Sequence, residues 1–164
     1  MVTVILKHKK DESLKRFHPW VFSGAIEKDV DRSIGAKSGI LVDVISADGT
    51  FLGTGTWHGR NSIRVRMVSR QHIESFTQEF FTSRFRALAK AKSQFLNDDT
   101  TGFRLVHSDA DGFPGLIVQG LGHALMLILR DDILKHCADR EVREKLYRAR
   151  VARAPENEPR IAEI

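Results

Sequence analysis

The chain has 164 residues, a formal net charge of +5 and a single cysteine, Cys137. That length suits one ordinary domain or two small ones, and no apolar run approaches the roughly 18 residues that a membrane span needs. One cysteine excludes an internal disulfide and a cysteine metal cluster, the segment Met1–Lys7 lacks the lead and cleavage site of a signal peptide, and a cytoplasmic protein is the simplest expectation.

Residues 1–70 read as a small β domain. Val2-Thr3-Val4-Ile5-Leu6 is a β-branched run suited to a first strand. Lys15 to Ile26 then gathers cations and aromatics around a turn bounded by Pro19 and Gly24. Cations suit a phosphate backbone, and aromatic faces suit unstacked bases. Gly39 to Ile45 predicts a second strand, and Asp48-Gly49 is a strong hairpin signal. Phe51 to Trp57 returns from it, with Gly53 and Gly55 relieving crowding where a small barrel bends. Ile63 to Val68 alternates, so Ile63, Val65 and Met67 share one face while Arg64 and Arg66 share the other and are expected to be exposed. The expected inward set is Ile5, Val42, Val44, Leu52, Val65 and Met67.

After Arg70 the period changes. Ile73, Phe76, Phe80, Phe81, Phe85, Leu88, Ala91 and Phe95 recur at helical steps and predict one amphipathic helix from about 72 to 96. Asn97 to Gly102 ends it. Phe103 to His107 predicts a strand, Ser108 to Gly112 a turn, and Gly115–Val118 with His123–Leu129 a hairpin around Gly120-Leu121-Gly122. From Asp131 the chain reads as charged helix up to Pro155, with frayed residues beyond. Residues 1–70 hold 12 Lys/Arg against 7 Asp/Glu, whereas 71–130 hold 6 against 6 and 131–164 hold 8 against 8. The basic surplus therefore lies wholly in residues 1–70, and clustered positive charge suits a polyanion partner.

No catalytic, cofactor or metal residue is assigned. The third glycine of a dinucleotide loop would fall at Leu125, and Gly53-Thr54-Gly55 lies inside a strand pattern. A P-loop and His-Glu-x-x-His are absent, and the seven histidines lack metal-ligand spacing. Asp109 and Asp111 beside His107 read as turn-tightening residues. Cys137 reads as inert, because its neighbour His136 would point elsewhere on a helix.

Three blocks of the sequence bear a likeness beyond composition. The first is Ser13 to Ile26 with its His18-Pro19-Trp20-Val21-Phe22-Ser23-Gly24 core. The second runs from Val42-Asp43-Val44 through Asp48-Gly49 and Phe51-Leu52-Gly53 to Ile63-Arg64-Val65-Arg66. The third is Arg104-Leu105-Val106-His107, then Asp111-Gly112 and Pro114-Gly115-Leu116-Ile117-Val118. Together, in order and over residues 13 to about 118, they resemble the N-terminal half of the large-subunit ribosomal RNA cytosine-C5 methyltransferase family.

The resemblance implies an α+β fold: a PUA-like β pseudo-barrel at 1–70, a linker helix and partial central α/β domain at 71–130, and a charged helical tail at 131–164. The intact family binds S-adenosylmethionine in a later domain that carries an Asp-Pro-Pro motif and a nucleophilic cysteine. The four prolines here are Pro19, Pro114, Pro155 and Pro159, so that motif cannot occur and no cofactor is expected in this chain. The pattern is left near Gln119. Cys137 to Ala149 resembles instead a helical stretch of thimet-oligopeptidase-like metallopeptidases, without their zinc motif.

The expected partner is structured RNA, ribosomal RNA by family, and no membrane. Lys9, Lys10, Lys15, Arg16, Arg64 and Arg66 would contact phosphates, which gives salt-dependent affinity. His18 could stack a base, and Trp20 either stacks one or plugs the barrel. Gly24 would allow a turn or a close backbone approach. Three readings follow: an RNA-binding module lacking catalysis, part of a methyltransferase whose catalytic domain lies elsewhere, or a remnant that binds nothing. A homodimer or a separate catalytic chain stays open.

Overall fold

Eight strands and three α-helices form the described residues, 1–121 and 124–129, of a computed structural model. They belong to two units, Met1–Ser75 and a second that begins at Phe76. The expected helical tail at 131–164, with His136 and Cys137, lies outside the described residues, as does His123.

In the first unit, β1 (Val2–Ile5), α1 (Glu12–Lys15), β2 (Trp20–Phe22), α2 (Lys28–Ile34), β3 (Ser38–Ile45), β4 (Phe51–His58) and β5 (Ile63–Ser69) follow in order. They build one sheet, β1-β3-β4-β5-β2. β1 runs parallel to β3, and the other neighbours are antiparallel. The chain leaving β2 then comes round to β1. Leu6 bridges Ile26, the Lys7 N–H donates to the Ala25 carbonyl at 2.8 Å, and the Glu27 N–H donates to the Ile5 carbonyl at 3.0 Å. These bonds cover the β1 edge, which would otherwise offer unpaired backbone groups. The result is the PUA-like pseudo-barrel of an α+β fold.

The barrel interior holds Val4, Leu6, Leu14, Val21, Ile26, Val42, Val44, Trp57 and Val65, with Leu52 and Met67 at its margin. Ile5 was expected inward and is only half-buried; Val4 and Leu6 are buried in its place. Alternation decides which parity of a strand faces in. The run Val2–Leu6 has one polar residue, so its composition alone left that parity open. The short elements α1, β2 and α2 were not foreseen, since each is too brief to show a period.

Two close approaches shape the barrel. At Gly53 (φ +141°) a Cβ would lie 2.3 Å from the Ser69 carbonyl oxygen, and at Gly55 it would lie 2.6 Å from the Arg66 carbonyl oxygen and a Val65 methyl. The β4–β5 register slips between Thr54 and Gly55, a bulge that bends the pair. The β3–β4 turn is locked by Asp48. Its carboxylate accepts from the Ser46 hydroxyl and from the Thr50 N–H at 3.1 Å. Those bonds, the Ser46 hydroxyl first, hold the Asp48 carboxyl down to about 2.

The second unit contains α3 (Gln78–Ser93), β6 (Gly102–His107), β7 (Leu116–Leu121) and β8 (Ala124–Leu129), the strands pairing antiparallel in that order. The helix is shorter than the expected span of 72 to 96. Thr77 sets its start, because the Thr77 hydroxyl accepts the Phe80 N–H at 3.1 Å as an N-cap. Ile73 and Phe76 precede it, and Phe95 lies past its end and exposed. Phe81, Phe85 and Phe113 pack together, with ring centroids 5.2 to 5.9 Å apart. Lys92 on α3 donates to Asp111 at 2.6 Å and to the Leu105 carbonyl at 2.8 Å. Asp111 also accepts the His107 N–H at 2.7 Å. This carboxylate therefore joins helix, strand and turn.

Two outcomes are expected. Gly55→Ala forces apart β4 and β5 and should cost about 1–3 kcal/mol; thermal unfolding checks this, and an unchanged melting temperature would mean that the strands do not meet so closely. Asp48 titrates lower folded than unfolded, so its stabilising contribution is full above the unfolded value of 3.8 and is lost as pH falls toward about 2. Acid unfolding of Asp48→Asn should accordingly lack part of the pH dependence of the parent chain in that window.

Candidate nucleic-acid interface

The outer face of the β2–β5 pair carries the chemistry. β2 places Val21 opposite Val65 and Trp20 opposite Arg66. The valines point inward and are buried. By alternation Trp20, Phe22 and Arg66 take the other face. The Arg66 guanidinium carbon sits 5.6 Å from the Trp20 ring centroid, a cation–π pair. His18 meets Trp20 edge-on at 5.6 Å, and Trp20 meets Phe22 edge-on at 6.5 Å. His18 Nδ1 lies 3.2 Å from the Trp20 backbone nitrogen and 3.3 Å from the Trp20 carbonyl oxygen, which fixes the imidazole against the start of β2. The site is thus a group of flat rings, His18 and Phe22 exposed and Trp20 half-buried, beside a half-buried guanidinium.

The approach to β2 is set by the end of α1. The Phe17 N–H donates to the Leu14 carbonyl and the His18 N–H to the Ser13 carbonyl, both at 2.9 Å. Pro19 then accepts the Met67 N–H at 2.7 Å and leads the chain onto β5. Glu12, Ser13, Arg16, Phe17 and His18 line an open hollow of about 420 Å³.

The other expected contacts divide. Lys15 pairs with Asp11 at 2.7 Å. The Lys15 hydrogen bond pushes the Asp11 carboxyl down, and Asp11 pushes the Lys15 ammonium up. Lys9 and Lys10 are exposed on a separate turn after β1. Gly24 is exposed, and an added Cβ there would meet nothing within 4 Å. Gly24 lies in the 3-10 turn Ser23–Ala25, and the chain's own packing does not demand glycine there. Its carbonyl accepts from Lys7 Nζ at 2.9 Å.

Arg64 does not match its expected exposure. Its side chain is 17% exposed and grips Asp31 through Nε at 2.7 Å and Nη2 at 3.2 Å, while Nη1 reaches the Asn61 carbonyl at 2.6 Å. A bidentate carboxylate pair of this kind is a structural clamp. Sequence alternation put Arg64 outside the barrel but could not show that α2 covers it. Trp20 does not plug the barrel either. Trp57 does: it is fully buried, and its indole N–H donates to the Gly35 carbonyl at 3.1 Å.

Sequence reasoning passed over Phe17, Phe22 and Arg70 as site residues. Phe22 was legible as the i+2 partner of Trp20 on a strand. Arg70 carried no local signal; its guanidinium lies 5.1 Å from the Phe17 ring centroid only through tertiary contact.

Comparison with known proteins covers the same regions. Residues 4–70 match the model of the PUA-like domain family. The chain is 34% identical over 129 residues to the ribosomal RNA large subunit methyltransferase I of Erwinia tasmaniensis, covering 78% of this chain and 32% of that protein. It is 40% identical over 116 residues to the protein of that name from Alteromonas mediterranea, covering 70% and 28%. The chain thus spans about a third of the length of these curated relatives. Among solved structures, a candidate SAM-dependent methyltransferase from Streptococcus mutans aligns with a TM-score of 0.68 at 18% identity, over 91% of this chain and 37% of that one. A candidate methyltransferase complexed with SAH aligns at 0.67, also at 18% identity, over 91% and 36%. At that identity the likeness is one of fold.

The two tryptophans should separate in mutagenesis. Trp57→Ala empties the barrel and should cost about 3–5 kcal/mol. Trp20→Ala, on the outer face, should cost clearly less. Equal losses in denaturant unfolding would return Trp20 to the core.

Proposed function

Since residues 4–70 are a PUA-like domain, in a chain homologous to part of the ribosomal RNA large subunit methyltransferase I proteins, we propose that this protein binds structured RNA, and ribosomal RNA in particular. The observation that carries the reading is the Trp20–Arg66 pair flanked by His18 and Phe22 on one open face. Stacking on such rings tolerates any base, and a guanidinium beside them meets the phosphate of the same nucleotide. Arg16 extends the cationic rim, and Lys9, Lys10 and Lys15 add peripheral phosphate contacts. Gly24 offers bare backbone where an RNA strand can approach closely. Arg64 serves this surface indirectly, by fastening α2 to β5. Residues 71–130 act as the linker helix and part of a central domain. A ribosomal RNA partner places the work in the cytoplasm, in ribosomal RNA processing.

A second reading rests on the relatives' length. There the chain supplies RNA recognition to a SAM-dependent rRNA (cytosine-C5) methyltransferase, the catalytic part coming from beyond the described residues or from another chain. The described residues themselves do not fit S-adenosylmethionine. Gly53 and Gly55 lie within β4 against β5, and Gly120 lies within β7 against the Phe103 ring. None opens a helix, as a nucleotide-binding glycine loop must. In either reading this surface holds RNA rather than transferring a methyl group.

Gel shifts with ribosomal RNA fragments test the proposal. At low salt the chain should bind, with affinity falling as salt rises. Replacing Arg16 and Arg66 together by Gln should make that fall shallower by about two phosphate contacts. Arg64→Gln should instead lower the melting temperature. No shift with any ribosomal fragment at low salt would defeat the proposal.

A further inference from the structure

Resting on the RNA-binding reading, we infer that Phe17 is a stacking platform for one unpaired nucleobase, held in the hollow at the C-terminal end of α1, so that the RNA bound here presents a bulged or looped-out nucleotide. Phe17 is a misfit at its position. The hydrogen bonds from Phe17 to Leu14 and from His18 to Ser13 form the two-bond closure that ends many helices. That closure requires a left-handed residue at the position Phe17 fills, and Phe17 has φ 65°. Glycine or asparagine normally stands there, because a Cβ is penalised. A phenylalanine at such a φ is strained.

The ring gains no burial in return, for Phe17 is 78% exposed. Strain and exposure both oppose phenylalanine at this site, and burial offsets neither.

The surroundings suit a base. Arg70 lies over the Phe17 ring at 5.1 Å, and its Nη1 donates to the Leu52 carbonyl at 3.3 Å, which steadies it there. With 78% of the residue still exposed, the opposite ring face is open. The adjoining hollow of about 420 Å³ matches a single nucleotide in scale. Its lining is almost wholly apolar, as the flat face of a base requires. An apolar lining favours the base over the charged backbone in the hollow, while Arg16 among its lining residues would supply the phosphate contact. A paired base inside a duplex shows only its edges, so a ring can stack on it only after it is unstacked. This distinguishes Phe17 from the Lys and Arg contacts, which a duplex satisfies equally well.

The experiment uses the full chain and two hairpin RNAs, one fully paired and one with a single bulged 2-aminopurine. The parent chain should bind the bulged hairpin more tightly and quench the 2-aminopurine. Phe17→Asn suits the left-handed backbone, so its melting temperature should be unchanged or higher. Its affinity for the bulged hairpin should fall about tenfold, with the paired hairpin unaffected. Phe17→Trp should retain the quenching. If Phe17→Asn binds both hairpins as the parent does, the platform is overturned while RNA binding stands. A lowered melting temperature with both affinities intact also overturns it, since Phe17 is then structural. Failure of the parent chain to bind either hairpin or any ribosomal fragment overturns both readings.

Discussion

The close contact of β4 with β5 is the constraint on which the first unit depends. Gly53 and Gly55 let the two backbones approach to where a side chain would collide with a carbonyl oxygen. The bulge between Thr54 and Gly55 adds local bend. Bending brings β5 to a position where the three residues of β2 can pair with it, and the chain beyond β2 then reaches β1. A sheet that comes round in this way has an interior, and Trp57 fills it. The same geometry decides the exterior. Because Val21 and Val65 are paired inward, Trp20 and Arg66 are paired outward, and their stacked contact follows from register rather than from a separate device.

Part of the charge on this surface holds the fold. Arg64 and Lys15 both looked like phosphate ligands in the sequence, yet each faces a carboxylate at 2.7 Å. The two pairs differ in consequence. Arg64 is mostly covered and doubly bonded, so releasing it to a ligand would strand Asp31. Lys15 is half-exposed and its pair is the weak surface kind, so a phosphate could compete for it. Asp31 therefore makes Arg64 part of the scaffold, while Arg66, two residues on, stands over an aromatic ring.

The second unit uses a different solution. Its core is a group of phenylalanines from α3 and the β6–β7 turn, fastened by Lys92 and Asp111. The ammonium satisfies two backbone carbonyls besides the carboxylate, and the carboxylate satisfies a strand N–H. Partly buried charges are stable in that form because most of their bonding capacity is used. The acidic turn that could suggest chemistry is thus occupied in structure.

Residue pattern alone determined the strands β1, β3, β4 and β5, because β-branched and apolar runs, alternation and an Asp-Gly turn are local properties. It also determined the existence of α3, whose phenylalanines recur at helical steps, and the gathering of positive charge in residues 1–70. The helix end had to await Thr77, since a cap is a single hydrogen bond and apolar spacing runs past it. Tertiary structure alone decided which tryptophan fills the barrel. Trp20 and Trp57 are equally apolar, and only the closure of the sheet makes one position interior and the other a rim. It decided likewise that Ile5 yields the core to Val4 and Leu6, that Asp31 takes Arg64, and that Arg70 meets Phe17 from across the chain. Those outcomes depend on pairings between residues up to 53 apart in sequence, and local composition holds no information about distance in space.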